Sequence, residues 1–293
     1  LDREVLTADR EELHDRGRSA PERRLSTRVV TWPEPAQLWR SARAKSFPVV
    51  ALAYLAGVTV GEVLTTYADP RLGMVTHCLL LLALVIHAGQ TPDDQERAFL
   101  ISMAFAPLIR ILSLALPLTG FPLLYWYLII SVPLFATLVA AAHAVGLSWR
   151  TLGLNLRKLW LQGLIGLTGV VFGTVEYLIL RPEPLARALT FSEIWWPALV
   201  LLISTGLLEE MIFRGLLQET GTATLGLWPT LLYVSVLFAV LHIGYRSLVD
   251  LVFVLAVGTF FGWIVTRTRS LVGVTLAHGL TKIFLFLVMP FVL

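Results

Sequence analysis

Nine stretches of the chain, at 48–67, 72–90, 97–117, 121–146, 159–180, 194–217, 227–244, 247–266 and 271–293, are apolar over most of their length. Each is close to the roughly 20 residues that a helix rising about 1.5 Å per residue needs to cross a bilayer's hydrocarbon core. Composition agrees. Hydrophobic residues make up 56% of the 293 and charged residues 15%, whereas a soluble domain is nearer 45–50% and about 25%. The expected fold is therefore all-α, a polytopic transmembrane helix bundle of nine spans, or eight if the short second one is re-entrant.

Three regions follow. Residues 1–47 mix Arg with Asp and Glu and show no apolar pattern. No 7–15-residue apolar region follows a basic start, so a cleavable signal peptide is not expected; the reading is a cytoplasmic leader, disordered over about 1–30. Its last piece, Pro35 to Phe47, reads either as a surface-lying helix, with Trp39 and Phe47 inward and Arg40, Arg43 and Lys45 toward lipid phosphates, or as a basic linker. Residues 48–146 hold the N-terminal spans, and 147–293 a helical core. The net charge of +3 resides mostly in the leader, where acidic residues are interspersed, so it speaks to topology and not to nucleic acid. With the leader inside, Arg150, Arg157, Lys158, Arg267 and Arg269 also fall on the cytoplasmic side. Arg71, Arg181, Arg187 and Arg246 fall opposite. Trp195 and Trp196 sit where an interfacial belt is expected. The one cysteine, Cys78, reads as a buried inert thiol, with no disulfide or thiolate metal cluster possible within the chain.

Polar groups inside apolar spans are the functional signal, because each charge at a span's centre costs roughly 3 kcal/mol on insertion scales unless it is paired or faces water. Glu62, Arg110, Glu176, Glu209, Glu210, Arg214, His242, His278 and Lys282 are of this kind. His77, His87 and His143 lie nearer span ends, and His77 and His87 read as satisfied core or interface histidines. Arg110 is expected to pair with Glu62 or Glu176, either structurally or along an access path. Glu210 and Arg214 have the acid-first i,i+4 spacing of a helix ion pair, which leaves Glu209 over, about 100° around the helix. His242 shares a face with Phe238, and His278 with Lys282. Counted from the expected cytoplasmic ends, Glu209 and His278 lie roughly 10–12 Å in and His242 nearer 20 Å; a tilt, a kink or a later helix start near Trp228 and Pro229 has to close that gap.

A carboxylate and two imidazoles in a wet membrane pocket support hydrolysis by either of two routes. They can hold a divalent metal such as zinc through Glu209, His242 and His278, with an open position for an activated water. Alternatively, the carboxylate acts directly as general base while the histidines orient the water or steady the oxyanion. HExxH, GxSxG and an Asp pair on facing spans are absent, which removes the simplest zinc, serine and aspartyl readings.

Three motifs in order carry a family resemblance. EEMIFR (Glu209 to Arg214), FAVLH (Phe238 to His242) and HGLTK (His278 to Lys282) resemble the EExxxR, FxxxH and HxxxN/D motifs of the CAAX protease and bacteriocin-processing family of intramembrane peptidases, over about residues 150–290. The resemblance implies a helical membrane fold whose site opens toward the cytoplasm. It also implies an endopeptidase acting on membrane-embedded or lipidated protein substrates, as the prenyl-protein endopeptidases of the family do. By motif position, Glu209 activates water, Glu210 and Arg214 support it, and His242 and His278 position water, carbonyl or metal. Lys282 departs from the pattern, standing where the family has Asn or Asp. An ammonium there can stabilise an oxyanion and repels a divalent cation, or it can lock Glu209 in a salt bridge and leave an inactive member that serves as a scaffold or immunity-type partner. A transporter is a more distant alternative, because no internal repeat or pair of broken helices accompanies the intramembrane charges.

Overall fold

A computed structural model of the chain describes residues 35–116, 120–156 and 158–293, with the backbone alone for 35–46. The leader expectations for residues before 35, the side chains of Trp39, Arg40, Arg43 and Lys45, and Arg157 lie outside the described residues. Among those described there is no strand, and nine helices are long and apolar enough to cross a membrane. We number them spans 1 to 9: Phe47–Ala68, Pro70–Gln90, Asp94–Ala115, Leu123–Ala144, Leu159–Leu180, Phe191–Leu225, Leu227–Tyr245, Leu248–Thr268 and Val272–Phe291. The protein is an all-α integral membrane protein, and the count of nine is met with span 2 a full 21 residues long.

Spans 6 and 9 form the centre. In each, 61% of the most apolar window is buried inside the protein, against 22% for spans 2 and 4. Spans 2 and 4 therefore turn most of their surface outward, to the face that lipid covers. Cys78 lies on that outward face of span 2, with Val75, Leu79 and Leu82; the apolar run around it covers lipid-facing as well as core positions, so burial did not follow from hydropathy. Phe47 is buried and packs edge-on to Phe99, with ring centroids 5.7 Å apart. It belongs to the protein core and not to a surface-lying helix.

Close approach of backbones builds the centre, as is usual where lipid removes the hydrophobic drive between helices. Span 5 lies against span 9 with Gly169 facing the Ala277 carbonyl oxygen, where any Cβ would collide. Two helical turns beyond Gly169 along span 5, Glu176 comes within reach of Lys282 on span 9.

Span 6 is longer than its apolar run. It continues through Gln218–Leu225 and stops only at Gly226, whose φ of 85° ends the helix. Polar groups of this extension find partners on neighbouring spans: Gln218 Nε2 donates to the Gly262 carbonyl (3.0 Å) and to Thr266 Oγ1 (3.1 Å), and Thr220 Oγ1 to Ser102 Oγ (3.0 Å). Within span 6, two π-helical stretches, Leu202–Leu207 and Met211–Leu217, flank a single α turn, Leu208–Glu210. Such widened turns concentrate at functional sites, because they re-aim side chains without breaking the helix.

Span 9 starts deep in the protein. Its first residues lie over the loop between spans 4 and 5: the Leu271 amide donates to the Gly153 carbonyl (2.9 Å), Ser270 Oγ to the Asn155 carbonyl (2.9 Å), and the Gly273 amide to Gln162 Oε1 (2.8 Å). These partners satisfy orphan groups of a helix N-terminus that lacks a side-chain cap of its own. A Cβ at Gly215 would stand 3.3 Å from the Leu271 side chain, so span 9 begins about three helical turns before the end of span 6.

Candidate active site

The long span 6 and the recessed span 9 together remove the depth mismatch expected from the sequence. Measured from the Gly226 turn that joins spans 6 and 7, Glu209 lies about 24 Å along span 6 and His242 about 22 Å along span 7. Ending span 6 at residue 217 had made Glu209 look shallow. His278 reaches the same level because span 9 starts beside Gly215. Spans 6 and 9 then touch at Gly206, where a Cβ would sit 2.8 Å from the Thr275 carbonyl and 2.9 Å from the Gly279 amide nitrogen. That contact brings the Glu209–Glu210 turn against His278.

The titratable groups around this turn divide into fixed and free. Arg214 Nη1 donates to Glu210 Oε1 (3.1 Å) and its Nη2 to the Gly258 carbonyl (3.3 Å), while the guanidinium lies 4.4 Å from the Phe238 ring centroid. The i,i+4 pair expected from the sequence is therefore formed, and both side chains are fully buried. His278 Nδ1 lies 2.9 Å from the same Glu210 oxygen. Because that oxygen accepts from Arg214, Nδ1 is the donor to it, and His278 turns Nε2 toward Glu209, 3.9 Å from its Oε2. His242 Nδ1 lies 2.8 Å from the Phe238 carbonyl. A carbonyl only accepts, so this nitrogen also donates, and Nε2 of His242 keeps its lone pair.

Lys282 pairs with Glu176, Nζ to Oε1 at 2.8 Å, with both side chains buried. It does not close onto Glu209. Arg110 pairs with Glu62 and not with Glu176, through Nε to Oε1 (2.8 Å) and Nη2 to Oε2 (2.6 Å). His77, expected to be a satisfied core histidine, is buried beside that pair, with Nε2 3.5 Å from Glu62 Oε1 and neither ring nitrogen hydrogen-bonded. His87 meets the Tyr54 hydroxyl at 3.0 Å.

Thus Glu62, Glu176 and Glu210 each meet a guanidinium or an ammonium, whereas Glu209 has no Lys or Arg partner among the described residues. Its side chain is 28% exposed, and the exposure opens into a cavity of about 420 Å³ whose wall includes Glu209, His242, Lys282, Arg110, Tyr127 and Tyr245. His278 stands behind Glu209 and not on that wall. Asp250 is the other intramembrane carboxylate without a partner, but it is sealed at 0% exposure and does not reach the cavity.

For a divalent metal, the remaining donors are the Glu209 carboxylate and the Nε2 atoms of His242 and His278. As placed, no group of three or more His, Cys, Asp or Glu among the described residues is close enough to hold an ion.

Glu176 and the Arg110–Glu62 pair are the wall and support groups whose roles the sequence left open. Their intramembrane charge marked them; their partners depend on helix neighbours that spacing along the chain does not encode. No match was found among curated proteins or among solved structures. Residues 191–284, about a third of the chain and containing all three motifs, match the family model described as type II CAAX prenyl endopeptidase Rce1-like, in agreement with the resemblance its motifs carry.

Proposed function

We propose that the protein is an intramembrane endopeptidase that hydrolyses a peptide bond of a membrane-associated protein or peptide through a water activated by Glu209. The observation that carries this reading is the contrast at one turn of span 6: Glu210 is fixed by Arg214 and His278, while its neighbour Glu209 is left without a cation and faces the cavity.

A water beside Glu209 is within reach of three roles. Glu209 accepts its proton as general base. The lone pair on His242 Nε2, held there by the Nδ1–Phe238 bond, accepts the water's second hydrogen and orients it. The remaining N–H groups of Lys282, beyond the one given to Glu176, face the forming oxyanion. The water oxygen bonds to the carbonyl carbon; the tetrahedral intermediate then collapses with cleavage of the C–N bond, and Glu209 returns the proton to the leaving amine. The products are a carboxylic acid and an amine, which pass one proton between them to become carboxylate and ammonium, and the carboxylate of Glu209 is regenerated. Glu210 and Arg214 act one layer back, as positioning residues that fix the tautomer of His278.

The pairing of Lys282 with Glu176 supports an active enzyme over a scaffold, because it leaves the approach to Glu209 open. The membrane is proposed to be a bacterial inner membrane, with the leader in the cytoplasm and a lipidated or membrane-embedded peptide as substrate. The test is Glu209→Gln expressed at wild-type level, with comparative proteomics of membranes. Accumulation of an uncleaved membrane protein or peptide is the expected result. An unchanged proteome together with an unchanged cellular phenotype would leave the scaffold reading in its place.

A further inference from the structure

His242 does not sit in a helix. Span 7's α-helix ends at Val240, and His242, at φ −94° and ψ 2°, leads into the short turn Ile243–Tyr245. A helix end exposes carbonyls that the ladder no longer uses, and a bent segment within a membrane holds its shape only where other protein groups satisfy it. Here those groups come from spans 1 and 3 and from the turn itself.

Arg110 of span 3 donates Nη2 to the Leu241 carbonyl (3.0 Å), immediately before His242, with the same guanidinium that grips Glu62 of span 1. Glu62 is fully buried, so the carboxylate is a fixed anchor. At the far end of the turn, Arg246 takes the left-handed conformation, φ 56°, and donates Nη2 to the Thr66 carbonyl of span 1 (2.6 Å). Thr66 lies in the π-helical end of that span, Leu64–Ala68. The turn is thereby tied at both ends to one short stretch, Glu62–Thr66. None of Glu62, Thr66 and Arg110 lies within residues 191–284.

We propose that spans 1 and 3 are a positioning clamp for His242. The Glu62–Arg110 pair and the Arg246–Thr66 bond hold the turn Leu241–Arg246 so that His242 Nε2 addresses the cavity beside Glu209. Arginine is required at 110, because one planar fork has to reach a carboxylate and a carbonyl at once; a lysine keeps the charge but not both reaches. The catalytic consequence rests on the proposed role of His242; the clamp itself does not.

The test uses the full-length protein in lipid nanodiscs with Arg110→Lys, which preserves charge balance against Glu62, and Arg246→Gln, which removes the other arm without leaving a lone buried charge. The readout is amide hydrogen exchange, chiefly at Tyr245 and Arg246, whose amides close the turn on the His242 and Ile243 carbonyls. Each variant is expected to exchange at least tenfold faster over 241–247, with rates over 208–217 and 272–283 unchanged. On a substrate found by proteomics, kcat is expected to fall at least tenfold with KM within twofold. Folded variants that exchange at the wild-type rate over 241–247, or whose acceleration spreads evenly over the protein, overturn the clamp. Should Arg110→Lys fail to fold, Arg246→Gln decides alone. Local acceleration, combined with a His242→Ala enzyme of undiminished turnover, would keep the clamp and remove His242 from the reaction.

Discussion

Lys282 Nζ lies 2.8 Å from Glu176 Oε1 and spans the interface between spans 9 and 5. The family pattern that the sequence resembles puts a neutral or acidic side chain where Lys282 stands, and the acid facing it explains how the chain tolerates the change. A lone ammonium in this place would be expensive; paired, it presents N–H groups to the cavity with its charge offset from behind. The two positions form a unit, and Glu176 lies outside residues 191–284.

That unit has a measurable signature. Removing one partner of a buried pair leaves the other uncompensated and typically costs about 3–5 kcal/mol. Lys282→Asn alone is therefore expected to lower the melting temperature in detergent markedly, despite matching the family pattern. Glu176→Gln combined with Lys282→Asn is expected to recover most of the loss. Thermal unfolding of the four proteins of this cycle checks it; a single Lys282→Asn variant as stable as the parent would mean that the pair contributes nothing.

The adjacent acids of span 6 are expected to part company in the same assay. Glu209 has no cation partner and opens to the cavity, so Glu209→Gln should change stability by less than about 1 kcal/mol while lowering turnover by roughly 10²-fold or more, the scale of a lost general base. Glu210→Gln removes the negative charge that Arg214 and His278 share at one oxygen and leaves them a neutral acceptor, so the buried guanidinium is uncompensated and the change should cost about 3 kcal/mol or more. Parallel melts of the two variants, with turnover on a proteomically identified substrate, decide the assignment. Equal destabilisation by both would argue that Glu209 is structural.

Span positions were legible because bilayer thickness imposes one length on every helix. The Glu210–Arg214 pair was legible because helix geometry alone puts i and i+4 together. The end of span 6 was not, because the extension Gln218–Leu225 is polar and finds its partners on spans 3 and 8; hydropathy reads a residue's own character and not its neighbour's. The partners of Arg110 and Lys282 were equally hidden. Arg110 had Glu62 and Glu176 to choose from, Lys282 was weighed only against Glu209, and in both cases the partner is set by which helices touch. The π-helical turns beside Glu209 leave no compositional mark, and the outward turn of Cys78 could not be separated from burial in a run that is apolar all round.

The contact that brings these pieces together is the approach of spans 6 and 9 at Gly206, and it yields the last prediction. Gly206 faces the backbone of Thr275 and Gly279 at distances that leave no room for a methyl group. Backbone on a packed helix cannot swing aside as a side chain can, so Gly206→Ala has to push the two helices apart, at a typical overpacking cost of about 1–3 kcal/mol. The bond most exposed to that shift is the one from His278 to Glu210, at 2.9 Å, because its two ends ride on the two helices being separated. The variant is expected to remain folded, with a modest drop in melting temperature, while turnover falls by an order of magnitude or more. A second site mutation, Gly226→Ala, provides the contrast: its Cβ meets no neighbour, but the residue's φ of 85° strains any L side chain, so it should lower stability with a much smaller loss of turnover per degree. Comparing turnover with melting temperature in the two variants separates damage to the site from damage to the fold. If both fall on one common line, the close approach at Gly206 serves stability alone.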